Sequence, residues 1–338
     1  MKIKLIIFGI LYRKFFKRAL FLIDAERVHT AFTHCGEILG AISAGRTVTK
    51  KLFYIKPAPI LSQNIAGIPF TSPIGLAAGF DYETRLTQIL PAIGFGWSTV
   101  GTITNMPYAG NPPPRLGRLT KSQSLWVNKG FKNLGALETI ERLHTVHFRT
   151  SKNCYNARRQ AVSDGAVLFG TATRKRRSQR SSVQFLEVPF EIPIGISLGR
   201  TNAPMNQKES VQDIVSAFTI FEKSKCRHSY YELNISCPNL FGDVNFYTPR
   251  NLEELLCALE KLKIIRPIFV KMPTTRTNEE IKIMLDSIGK FPFLKGVIFG
   301  NRPLWHQDAL LSSWSELLCG VNLSQHNSIM WLERTYCA

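Results

Sequence analysis

One pattern recurs along this chain and constrains its fold more than any other feature: a short run that is apolar on both faces, a turn rich in Gly, Asn or Pro, then a helical stretch. The strands are SPIGLAAG (72–79), WSTVGTIT (97–104), PIGISLG (193–199), YYELNIS (230–236), PIFVKMP (267–273) and GVIFGN (296–301). Helices are predicted over 82–92, 208–223, 251–263 and 278–289. Strands apolar on both faces and separated by helices pair in parallel, because the crossover carries a helix over the sheet. Polar residues stand just after the strands: Asp81, Thr102, Asn105, Arg200, Asn202, Asn239, Lys271 and Asn301. A barrel collects its chemistry at those strand ends. The expected fold class is therefore α/β, a (β/α)8 TIM-type barrel with six of its eight units recognisable. No GxGxxG follows a strand, which argues against a dinucleotide-binding open sheet.

The charge is unevenly spread over the 338 residues. Residues 1–56 hold 11 basic and 3 acidic side chains and residues 149–182 hold 9 and 1, so only +3 of the net +19 remains for everything else. A nucleic-acid groove needs its charge on the folded body, so no nucleic-acid partner is expected. The front reads LIIFGILY (5–12), RKFFKR (13–18) and ALFLI (19–23). That apolar run is far short of the roughly 20 residues that cross a bilayer. A basic cluster also stands where a secretory signal would carry small residues. Large apolar side chains interleaved with Lys and Arg suit a segment lying on an acidic membrane surface, or an amphipathic helix packed on the protein's own body. Residues 1–56 are accordingly read as a basic, amphipathic helical extension. The first alternative places the protein peripherally on the cytoplasmic face of a membrane, the second in the cytoplasm.

Within the barrel region 57–301, residues 149–190 show neither a helical nor an alternating period, and RKRR (174–177) has the character of an exposed charge run. They are read as an irregular basic insertion. Residues 302–338 carry three of the five Trp and are too few for two further β/α units, so they form an atypical tail. The cysteines at 35, 154, 226, 237, 257, 319 and 337 make no CxxC, and His144 and His147 lack an acidic partner. A reducing compartment and no metal site are expected.

GLAAGFD (75–81), GFGWSTVGTIT (94–104), GNPPPRL (110–116), NKGFKNLGA (128–136), NISCPN (234–239) and FVKMP (269–273), in this order, resemble the dihydroorotate dehydrogenase family. FLIDAERVH (21–29) is similar to the helical front of its membrane-associated, quinone-using class. The resemblance implies oxidation of dihydroorotate to orotate on FMN at the barrel mouth, in pyrimidine biosynthesis, with a base taking the C5 proton while hydride leaves C6 for the flavin. It implies that Ala78 and Gly79 leave room for the flavin, and that Thr102, Ser197, Asn234 and Lys271 bind it, Lys271 opposing the negative charge of the reduced ring. Tyr82, Asn128, Asn234, Asn239 and Asn301 would hold the pyrimidine, with Gly130 and Phe131 closing over it. Cys237 would be the base, as a thiolate.

Several positions depart from the family pattern. Tyr82 stands where a Lys is usual, Ser197 where an Asn is usual, and the loop Asn comes one place late as Asn128, with Lys129 beside it to supply the missing charge. A Cys base belongs to the soluble class, whereas the front extension belongs to the quinone class. Three readings follow: a quinone-reducing dihydroorotate dehydrogenase; a soluble-type dihydroorotate or dihydropyrimidine dehydrogenase with another acceptor; and an inactive copy that binds membrane or nucleic acid through its basic segments.

Overall fold

Strand order in space follows strand order in the chain. The computed structural model describes residues 2–120, 124–150, 190–224, 226–236, 240–242, 244–273, 276–299 and 331–332. Four helices come first, α1 (Lys2–Leu11), α2 (Lys17–Phe21), α3 (Ala25–Ala41) and α4 (Ser43–Phe53), followed by an antiparallel hairpin of β1 (Gln63–Ile65) and β2 (Ile68–Phe70). The short α5 (Leu90–Ile93) leads into β3 (Ser98–Ile103), a second hairpin of β4 (Leu116–Leu119) and β5 (Ser124–Val127), and α6 (Gly135–Thr150). Alternation then sets in: β6 (Ile194–Leu198), α7 (Gln207–Lys223), β7 (Tyr230–Asn234), α8 (Pro249–Glu260), β8 (Ile268–Met272), α9 (Asn278–Gly289) and β9 (Leu294–Phe299), with β10 at Trp331–Leu332.

β3, β6, β7, β8, β9 and β10 form one parallel sheet in that order, and Leu76 bridges to Ser98 on the other edge of β3. A doubly wound sheet reverses direction at its centre, whereas unbroken sequential order is that of a β/α barrel. Among the described residues no pairing joins Leu76 to β10. The helices start where their caps say they should. Asn206 and Glu209 close a capping box on α7, Thr277 and Glu280 close one on α9, and Thr248 caps α8 ahead of Pro249. Val211, Ile214, Phe218 and Phe221 recur at helical spacing and are buried, so α7 turns one face to the sheet.

Alternation along each strand sorts the interior into layers. Tyr231, Leu233, Val270 and Ile196 join the core shared with the helices, while Tyr230, Phe269 and Ile298 point to the other face and meet Ile65, Ile68 and Phe70 of the first hairpin. A side chain at position 195 would collide with the Tyr230 ring, so Gly195 makes that lower layer possible. The upper layer on the same inner face is polar: Thr102, Ser197, Glu232 and Lys271, all buried.

Several expectations need correction. The helix predicted over 82–92 is reduced to Leu90–Ile93. The Asp81 carboxylate accepts from the Arg85 and Leu86 amides at 2.7 and 2.8 Å, and Thr84 is left-handed at φ 60°, which breaks a helix. The 72–79 strand contributes a single bridge, at Leu76. Both hairpins and α6 go beyond the sequence reading, and the tail supplies a strand position on β9. The RKRR run lies outside the described residues. The His144 Nε2 donates to the Ser224 carbonyl at 3.1 Å, tying α6 to the end of α7.

The front helices sit against the top of the sheet. Gly36 and Gly40 bring α3 close to Leu86, Gln88 and Ile89, and the Arg115 Nε donates to both Glu26 carboxylate oxygens at 2.8 Å. Arg118 donates to the Ile23 carbonyl at 2.8 Å. Phe15, Phe16 and Leu22 remain exposed at 66%, 60% and 90%. Among the described residues no helix is long and apolar enough to cross a membrane.

Candidate functional site

Two groups of side chains occupy the carboxyl ends of the strands. The first is a hydrogen-bonded ladder across β3, β6, β7 and β8. The Asn234 Nδ2 donates to Thr102 Oγ1 at 2.6 Å, Thr102 and Ser197 hydroxyls lie 3.0 Å apart, and Ser197 donates to Glu232 Oε1 at 2.8 Å. The Lys271 Nζ faces the same Glu232 oxygen at 3.8 Å. Each hydroxyl has one proton, so Ser197 spends its own on Glu232 and Thr102 must donate to Ser197. What Thr102 keeps for a ligand is a lone pair. The second oxygen of Glu232 is buried with no hydrogen-bond partner among the described residues. Ser236 holds the Asn234 amide by donating from its backbone N at 3.2 Å and from Oγ at 2.9 Å.

The second group lies on loops at the rim. Asp81 receives the Gly101 amide through its carbonyl at 3.1 Å, which puts the next residue, Tyr82, beside the upper end of β3. His29 on α3 stacks on the Tyr82 ring at 5.4 Å between centroids, and its Nε2 meets the Phe80 carbonyl at 2.9 Å. A carbonyl only accepts, so Nε2 carries the proton and Nδ1 is left to accept from Tyr82 Oη, 3.5 Å away. The Lys129 Nζ donates to that same Oη at 3.2 Å and lies 4.5 Å above the ring. Burial, together with the Lys129 charge, lowers His29 to about 4, so it is neutral at ordinary pH. Burial first, then Glu83 and Glu26, pushes Tyr82 up to about 12, so it stays a phenol. Burial also raises Asp81 to about 6 against the pull of its two amide donors.

Gly130 and Phe131, both left-handed at φ 63° and 65°, carry the loop from Lys129 back over the strands. A side chain at 130 would strike Asn111 and Asn202, and one at 199 would strike Phe131 and Thr102, so Phe131 lies against the ladder. Asn128 is held from behind: its Oδ1 accepts from Asn111 Nδ2 at 2.9 Å. Above Ala78 and Gly79 there is room, since Gly79 at φ 100° would carry a Cβ into open space.

Of the site residues read from the sequence, Thr102, Ser197, Asn234 and Lys271 come together in the ladder, and Tyr82, Asn128, Gly130 and Phe131 gather at the rim. Cys237, Asn239 and Asn301 lie outside the described residues. The sequence reading missed Glu232 and His29. Glu232 had a signal, an acid alternating with Tyr230 and Asn234 inside an otherwise apolar strand.

A parallel β/α barrel with a polar cluster at its strand ends is the architecture of many enzymes and does not itself name a chemistry. A model of the dihydroorotate dehydrogenase family matches residues 60–312, and the chain belongs to that family. It is 26% identical over 269 residues to the dihydroorotate dehydrogenase (quinone) of Corynebacterium diphtheriae, covering 80% of this chain and 61% of the relative. It is 29% identical to that of Mycolicibacterium smegmatis, covering 88% and 70%. The chain thus spans 61% of the length of two of the relatives it matches, the second being from Sulfurovum. The crystal structure of the Eimeria tenella enzyme in complex with ferulenol superposes with a TM-score of 0.58 at 24% identity, covering 85% of this chain and 69% of that one.

Proposed function

We propose that this chain oxidises dihydroorotate to orotate on FMN, in pyrimidine biosynthesis, and passes the electrons to a quinone. The observation that carries the reading is the directed ladder from Asn234 through Thr102 and Ser197 to Glu232 and Lys271, in a chain of this family. These residues fit a flat cofactor with a polar edge. Open space over Gly79 leaves room for a ring, and the ladder offers it a lone pair at Thr102 and charge at Lys271, beside the unpartnered oxygen of Glu232. FMN, when bound, supplies the two-electron acceptor.

The chain's own part is to position, shield and deprotonate. Asn234, its amide fixed by Ser236, holds the pyrimidine together with Tyr82, Asn128, Asn239 and Asn301, while Gly130 and Phe131 keep water out. Cys237 follows Ser236 in the chain and takes the C5 proton at Sγ. Cys237→Ala is expected to lower dihydroorotate turnover by about 100-fold or more with FMN still bound, as measured by dye reduction. Unchanged turnover would remove Cys237 as the base.

The front extension, residues 1–56, is proposed to rest on the cytoplasmic face of a membrane, where the exposed Phe15, Phe16 and Leu22 enter and the neighbouring cations meet acidic headgroups. The barrel is taken as 57–301 and the tail as 302–338. Phe15→Ser with Phe16→Ser is expected to reduce binding to anionic vesicles and quinone turnover while leaving dye reduction intact; equal vesicle binding would contradict the attachment. The Cys in NISCPN favours a second reading, a soluble acceptor, which faster turnover with soluble acceptors than with quinone would support.

A further inference from the structure

Lys129 is a buried ammonium whose hydrogen-bond partner is neutral. The residue is 9% exposed, and among the described residues its Nζ has a single hydrogen bond, to the Tyr82 phenol at 3.2 Å. An ammonium has three donors, so among those residues two are unspent. No carboxylate comes within ion-pair distance of it among the described residues, because the nearby acids are committed elsewhere. Glu26 is clamped by Arg115 at 2.8 Å with Lys132 at 3.7 Å, and Glu83 by Arg85 at 2.6 Å. His29 is neutral, and its proton on Nε2 makes Tyr82 donate to Nδ1, which turns a phenol lone pair toward Lys129. The corner therefore holds Lys129 in place without neutralising it. A buried charge in that condition is costly until an anion joins it. Gly101 and Asp81 tie this corner to the end of β3, and Phe131, two residues beyond Lys129, lies against Thr102.

We propose that Lys129, held by Tyr82, is the cation that receives the substrate's carboxylate. The inference deepens the functional reading above and rests on it. It makes Lys129 a specificity-determining residue, one that separates a pyrimidine bearing a carboxylate from the same ring without one. The groups that set its charge are Glu26 and His29 from α3, Tyr82 and Glu83 from the rim loop, Arg115 at the start of the hairpin, and Lys132. Burial above all brings Lys129 down to about 8, against the pull of Glu26 and Glu83 and with the help of Lys132 and Arg115. The ammonium is present below that pH and lost above it, so preference for the carboxylate ligand should fall as pH rises through about 8, with a bound carboxylate moving the midpoint upward.

The test is calorimetric titration of the FMN-loaded protein with orotate and with uracil. The wild type should prefer orotate; Lys129→Met should weaken orotate by about 30-fold or more and uracil by less than about twofold. Lys129→Arg, which keeps the charge, should retain most of the preference. An undiminished orotate preference in Lys129→Met would overturn the inference and leave the functional reading standing. A wild type that binds no orotate would overturn both. Should Lys129→Met not fold, the wild-type preference measured across pH decides: a decline through about pH 8 supports the inference, and a flat profile overturns it.

Discussion

Lys271 and Lys129 are both buried lysines at the strand ends, and they are built in opposite ways. Lys271 stands one residue before the end of β8, opposite Glu232 at 3.8 Å and beside the Ser197–Glu232 hydrogen bond. Lys129 sits on a loop next to two left-handed residues, and its partner is a phenol. The strand lysine brings its counter-charge with it, even as it faces the proposed cofactor. The loop lysine lacks one, which is how a site waiting for an anion differs from a structural ion pair.

Three substitutions sharpen that contrast. Lys271→Met leaves the Glu232 carboxylate buried without its cation and should cost about 3–5 kcal/mol in denaturant unfolding; a cost below about 1 kcal/mol would mean the pair is not what holds this layer. Gly195→Ala tests the scaffold beneath it by driving a methyl into the Tyr230 ring, with an expected loss of about 1–3 kcal/mol by the same method. A cavity made by Tyr230→Leu in the same chain should make that alanine less damaging. Lys129→Met should have the smallest effect, leaving the ligand-free protein as stable as the wild type or slightly more so, because it removes an uncompensated buried charge. A loss comparable to that of Lys271→Met would show that Lys129 is a structural residue after all.

The repeated strands and helices were legible because burial on two faces leaves an apolar run that a reader can count, and the end caps of α7, α8 and α9 are written in Asn206, Thr248 and Thr277. Residues 82–92 carry helical spacing, yet Asp81 bonds two amides further on and Thr84 turns left-handed. A tertiary contact at β3 outweighs local periodicity there. The ladder residues were legible through the family resemblance, except Glu232, whose acidic side chain inside a buried strand is itself a signal. Tyr82 was visible as a departure from the family pattern. Its stacking with His29, 53 residues earlier in the chain, was not, because nothing local to either residue encodes the docking of α3.

The central claim is that the ladder holds FMN where dihydroorotate can reduce it. Anaerobic titration of the purified, FMN-supplied protein with dihydroorotate, followed by visible flavin absorbance, tests it most directly. Bleaching of bound flavin, with orotate formed in equal amount, is the predicted result. Protein that stays colourless after gel filtration, or bound flavin that dihydroorotate does not bleach, would contradict it.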